Sequence, residues 1–134
     1  MSTVTINIKT DAQEQFVDIT DRVQQAIKEI GAVDGVCTIF SPHTTAGLTI
    51  NEYADPAVAH DIISFLHDAV SEDRAWTHAE GNSPAHVKAS LLGSSVVVVV
   101  KRGRLYLGTW QGIFFCEFDG PRTRRVWLAF TPSA

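Results

Sequence analysis

Residues 3–9 alternate polar and apolar, with Val4, Ile6 and Ile8 on one side, and this period of two predicts an antiparallel-type strand. A second, short strand is expected over Gln15–Asp18. The period then changes: Val23, Ala26, Ile27 and Ile30 recur at helical spacing, Thr20 stands where an N-cap belongs, and Gly31 supplies the stop. Residues 36–40 and 48–50 read as strands on either side of a polar loop, 41–46. Asp55-Pro56 starts a second helix, because proline at the first helical position gives up no hydrogen bond. Val58, Ile62, Phe65, Leu66 and Ala69 form its apolar stripe. Residues 71–82 are polar and without period, a loop, and Ser83-Pro84 restarts a helix that ends near Leu92 at Gly93. From there the pattern is all β: a strand over 94–100, a turn at Lys101-Arg102-Gly103-Arg104, a long strand over 105–118, a turn at Asp119-Gly120-Pro121 and a strand over 123–130. Gly108 and Gly112 mark bends or bulges in the long strand. Strands outnumber helices and the helices sit mid-chain. The expected class is α+β, one domain over 1–134, a mostly antiparallel sheet or sandwich with two to three helices.

Two segments are apolar on both faces. Ile113, Phe115 and Glu117 share one side of their strand, Phe114, Cys116 and Phe118 the other, and residues 96–100 are all valine. Few helices are available to cover two apolar faces, so contact with further subunits is expected to remove them from water.

A length of 134 residues suits one domain, and 45% hydrophobic against 19% charged residues excludes disorder as the main state. The net charge of −4, from 15 acids and 11 bases, argues against binding dominated by a nucleic-acid backbone. No apolar run approaches the ~20 residues of a membrane span, so no membrane partner is expected. No basic stretch leads into an apolar one, so no secretory signal is expected and a cytoplasmic location is the default. Cys37 and Cys116 form no CxxC pair and are expected to remain thiols, Cys116 as inert core.

The five histidines carry unequal weight. At ~100° per residue, His60 and His67 fall away from the apolar stripe of their helix and face solvent. His43 lies in Ser41-Pro42-His43-Thr44-Thr45-Ala46, which reads either as an anion-binding or metal-adjacent turn or as a loop whose hydroxyls cap their own backbone. His78 and His86 frame a segment with Glu80 and Asn82 that runs into a helix start, itself a site favouring anions. Those two imidazoles with His43 would suit a divalent metal with one position open, although the spacing is not HExxH. Asp55 is sufficiently explained as an N-cap, whereas Asn51 and Glu52, at a strand end, are candidates for substrate or metal-water contacts. Glu117 belongs either to an interface or to a pocket, where burial would raise its pKa. Arg122, Arg124 and Arg125 either grip a phosphate or pair with acids of a neighbouring subunit.

Gly108-Thr109-Trp110-Gln111, continuing through Cys116-Glu117-Phe118-Asp119-Gly120-Pro121-Arg122, resembles the signature of the YjbQ-like family. The 41–46 loop, Asn51-Glu52, Glu80-Gly81-Asn82 and Ala85-His86 resemble that family too, in the same order along essentially the whole chain. The resemblance implies a homotrimer with a metal or oxyanion site around the histidines, near a subunit boundary. It also implies a transferase: secondary thiamine-phosphate synthase, joining hydroxymethylpyrimidine diphosphate to thiazole phosphate with release of pyrophosphate, as a side activity beside another role. On that reading His43, His78 and His86 are the ligands of an anion or of a divalent metal, Mg or Zn. His43 and His86 act in catalysis with Glu52 or Glu117 as proton acceptor. Thr44, Thr45, Asn51, Asn82, Gln111 and Arg122 position substrate oxygens. The anion is expected where His43 and the Thr44 and Thr45 hydroxyls meet the helix beginning near Pro84. The alternative is a trimeric small-molecule or metal-binding module without turnover.

Overall fold

The computed structural model describes residues 2–134. Eight strands and three helices follow in the order β1 (Ser2–Lys9), β2 (Gln15–Asp18), α1 (Thr20–Glu29), β3 (Gly35–Phe40), β4 (Ala46–Glu52), α2 (Pro56–Ala69), α3 (Ser83–Leu92), β5 (Ser95–Lys101), β6 (Arg104–Leu105), β7 (Gln111–Glu117) and β8 (Thr123–Pro132). They build a five-stranded sheet, β1-β8-β3-β5-β6, and a three-stranded sheet, β2-β7-β4, with every pairing antiparallel.

Alternation decides what lies between the sheets. Ile6 and Ile8 of β1, Cys37 and Ile39 of β3, Val98 and Val100 of β5 and Val126, Leu128 and Phe130 of β8 project from the large sheet. They meet Ala46 and Leu48 of β4, Ile113 and Phe115 of β7, and Val23, Ala26 and Ile27 of α1. A second cluster forms on the far side of β7, where Phe114, Cys116 and Phe118 pack against Leu66 of α2 and Ala85 and Ala89 of α3. Strand β7 is therefore buried on both faces inside one chain.

The expectation that β7 needs further subunits is thereby corrected: its two apolar faces are covered from within. Strand β5 is different, because its Val97 and Val99 are 58% and 52% exposed beside the stacked rings of Phe40 and Trp127. Three local expectations also change. Thr20 is not the N-cap of α1; its N–H and hydroxyl both donate to Asp18 Oδ1, and Ile19 holds the cap position. Phe65 lies off the buried face of α2 and is 69% exposed. The single strand expected over 105–118 is broken, because the chain leaves the large sheet after Leu105 and enters the small one at Gln111.

Two backbone details position the polar groups at the surface. Gly47 lets α3 lie directly on β4: a Cβ there would stand 2.7 Å from Gly93 O, which accepts the Leu48 N–H. The β5–β6 turn holds Arg102 at φ 54° and Gly103 at φ 77°, the signs that a two-residue type I′ turn requires. Glycine adopts this freely, whereas for arginine it costs about 1–2 kcal/mol.

Candidate functional site

The 41–46 loop joins β3 in the large sheet to β4 in the small one, at the end of the sandwich where Glu117 and Arg124 face each other. Its hydroxyls first serve the loop itself. Ser41 Oγ donates to Ala46 O and accepts weakly from the His43 N–H at 3.4 Å, and Thr45 Oγ1 accepts from Arg124 Nη2. Thr44 is left exposed and makes no hydrogen bond through its side chain to the described residues. The ring of His43 meets Phe115 edge-on at 6.2 Å. Its Nε2 lies 3.0 Å from Arg125 N and 3.1 Å from Arg125 O, accepting from the first in one tautomer and donating to the second in the other. Nδ1 has no partner among the described residues. Burial, then the positive field of Arg124, hold the His43 pKa below its usual value, outweighing the backbone contact with Arg125, so the ring is neutral at pH 7.

Helix α3 forms the opposite wall. His43, Thr44 and Ala46 face His86, Ala89 and Ser90 across a groove of about 430 Å³ that closes at Gly93 and Ser94. The groove runs along the flank of α3 from His86, in its first turn, to Gly93 at its end. His78 joins from the preceding loop, its ring edge-on to His86 at 5.2 Å, with Nε2 4.0 Å from Glu80. Asn82 holds the helix start in place by donating from Nδ2 to Asp119 Oδ2, and its buried Oδ1 accepts no hydrogen bond from the described residues.

Beneath the loop is a buried ion pair. Glu117, fully buried, receives Arg124 through both Nε and Nη2, the Thr10 hydroxyl at 2.8 Å, and the N–H groups of Phe118 and Asp119 at 3.1 and 3.0 Å. Burial alone would raise its pKa, but Arg124, the Asp119 N–H and Thr10 outweigh it and hold the carboxyl below its usual value. The burial expected from the strand pattern is present, but the raised pKa expected with it is not, because the partners reverse the sign. With both oxygens occupied, Glu117 orders the site and is not poised to accept a proton.

Other candidates lie elsewhere. Asn51, Glu52 and Gln111 are at the far end of the β4–β7 ladder, roughly 20 Å from the Ala46–Glu117 pair at about 3.3 Å per residue. There Asn51 Oδ1 accepts the Glu52 N–H, Glu52 Oε2 the Asp55 N–H and Gln111 Oε1 the Gly108 N–H. Arg122 is engaged by Asp119 through Nε and Nη2. Among the described residues the exposed Arg125 side chain makes no hydrogen bond or ion pair, and it is the Arg125 backbone that meets His43. Sequence reasoning missed Lys88, which is 2% exposed and donates to Glu14, whose other oxygen meets His67 Nδ1 at 2.7 Å. The spacing of Lys88 to Ala85 and Leu92 puts it on the apolar face of α3, the signal that would have found it.

Imidazole nitrogens without protein partners are ligands that a borderline divalent cation takes, and His43, His78 and His86 are the side chains that a metal here would need. Among the described residues, though, no group of three His, Cys, Asp or Glu side chains is gathered closely enough to hold an ion.

The same sequence pattern and fold occur in other proteins. The family model described as UPF0047 protein YjbQ-like matches residues 4–133. UPF0047 protein MJ1081 of Methanocaldococcus jannaschii is 54% identical over 121 residues, covering 90% of this chain and 88% of that protein. UPF0047 protein YugU of Bacillus subtilis is 48% identical over 125 residues, covering 92% and 95%. A crystal structure of a conserved yjbq/upf0047 family protein from Clostridium acetobutylicum superposes with a TM-score of 0.93 at 49% identity, over 96% of this chain and 99% of that one. The hypothetical protein APE1520 of Aeropyrum pernix gives 0.94 at 37% identity, over 99% and 100%. On agreement of sequence and fold along nearly its full length, the chain belongs to the UPF0047 YjbQ-like family.

Proposed function

We propose that this protein is a transferase of the secondary thiamine-phosphate synthase type, and that the His43–His86 groove binds the diphosphate of its substrate. The ring nitrogen of the thiazole phosphate attacks the methylene carbon of the pyrimidine. An N–C bond forms as the C–O bond to diphosphate breaks, and the electron pair leaves with pyrophosphate. The attack needs no proton acceptor, so neither Glu52 nor a locked Glu117 is required as a base. The step depends on stabilising the negative charge that develops on the leaving oxygens.

One observation supports this reading: a groove of about 430 Å³ with His43 and Thr44 on one wall and His86 on the other. In the tautomer where Nε2 accepts from Arg125 N–H, the neutral His43 ring carries its proton on Nδ1 and can donate it to an anion. His86 and the Thr44 hydroxyl supply further donors, and the positive field of Arg124 and Arg125 at His43 favours an anion.

The test uses purified protein with both substrates. His86→Ala is expected to lower kcat by about 100-fold or more, and pyrophosphate to inhibit competitively against the diphosphate substrate. Wild-type protein forming no more product than a His43→Ala/His86→Ala double variant would reject the enzyme. Binding of pyrophosphate without turnover would instead identify a binding module.

A further inference from the structure

The second feature that geometry sets apart is the β5–β6 hairpin. Lys101, Arg102 and Arg104 line a groove of about 450 Å³ together with Leu105, Tyr106 and Leu107. Residues 81–116 contain no Asp or Glu. None of the three cations makes an ion pair among the described residues, in a chain that carries a surplus of acids. Asp34, the carboxylate beside the turn, accepts the Arg102 backbone N–H and so stabilises the turn, not the charge. Gln24 fixes the hairpin further, donating to Gly103 O and accepting the Leu105 N–H. Three like charges are thus held together on a rigid tip, a field that favours a ligand carrying several negative charges.

Two observations narrow the ligand. Tyr106 is 64% exposed, with Lys101 Nζ 5.4 Å from its ring centre, so the ring presents a stacking face next to positive charge. Arg102 occupies a left-handed turn position where glycine or asparagine would be unstrained. Strain of this kind persists at sites that use the side chain. The groove has the volume of a site for one small molecule and not for a polymer track. We propose that the β5–β6 hairpin binds a nucleoside polyphosphate, its base stacked on Tyr106 and its phosphates held by Lys101, Arg102 and Arg104. This site is independent of the His43–His86 groove and of the reaction proposed for it.

Titration calorimetry of the full-length His43→Ala/His86→Ala protein, in which the other groove is disabled, with adenosine diphosphate, pyrophosphate, adenosine and an oligoadenylate series tests it. Adenosine diphosphate is expected to bind with a Kd below about 1 mM and more tightly than pyrophosphate or adenosine. Arg102→Gly removes strain and is expected to raise the thermal midpoint by about 2 °C or more while weakening adenosine diphosphate binding about tenfold, equivalent to one lost charge-assisted contact. Tyr106→Ala should weaken the diphosphate but leave pyrophosphate unchanged. Equal binding with and without Arg102→Gly overturns the proposal. So does adenosine diphosphate binding no tighter than adenosine, or affinity that climbs with oligonucleotide length, the mark of a nucleic-acid surface.

Discussion

Glu117 and Arg124 show how partners decide the role of a charged side chain. Keeping one charge in water-free surroundings costs little while the other remains, and a great deal once it does not. Glu117→Gln is accordingly expected to destabilise by about 3–5 kcal/mol in urea unfolding, whereas Glu117→Leu with Arg124→Met should recover much of the loss. The pH dependence has a definite sign. The folded-state pKa of Glu117 lies below the unfolded value, so the contribution of the pair is complete at neutral pH. It is lost as pH falls from the ordinary carboxylate range through the lower native value, because the unfolded chain then binds the extra proton. A urea midpoint that falls less steeply with acid in Glu117→Leu/Arg124→Met than in wild type checks this.

Helix α3 reaches the loop that carries His43 because β4 offers it a glycine. Gly47→Ala would place a methyl group 2.7 Å from Gly93 O, and backbone cannot give way as a side-chain tip can. The expected cost is about 1–3 kcal/mol, together with lower turnover in the proposed reaction as His86 moves away from His43; thermal melts and product assays on the variant measure both. Period and punctuation made most of the elements legible in the sequence. The Asp55-Pro56 start reappears as an Asp55 carboxylate accepting the Ala57 N–H, and Gly93 ends α3 as its position suggested. What stayed hidden depended on distant partners. Nothing near Gln111 announces that the chain changes sheets between Leu105 and that residue. Likewise, nothing local to Glu117 names Arg124 and Thr10, which come from β8 and the end of β1. Motifs resembling one family site were legible as motifs, but their division between two ends of the β4–β7 ladder follows only from register.

The outer face of the five-stranded sheet is the surface on which this protein would associate. Phe40, Val97, Val99 and Trp127 are each at least 40% exposed and lie on three adjacent strands, β8, β3 and β5. We propose a homotrimer that covers this face, in keeping with the family resemblance. Sedimentation is expected to give about three times the 14.7 kDa chain mass, and Trp127→Lys to shift the population toward monomer; a wild-type monomer at micromolar concentration would reject the assembly.

The order of strands in that sheet also bears on how the protein comes into being. Strand β8, the last to be synthesised, sits between β1, the first, and β3, with Ser2 opposite Phe130 and Cys37 opposite that same residue. Until β8 leaves the ribosome, β1 has no neighbour in the sheet and β3 shows a bare edge of unpaired N–H and C=O groups. The large sheet therefore cannot close until β8 is available, and until then the bare edge of β3 is open to pairing with a strand of another chain. The strand that completes the monomer is thus also the one through which two chains could become exchanged.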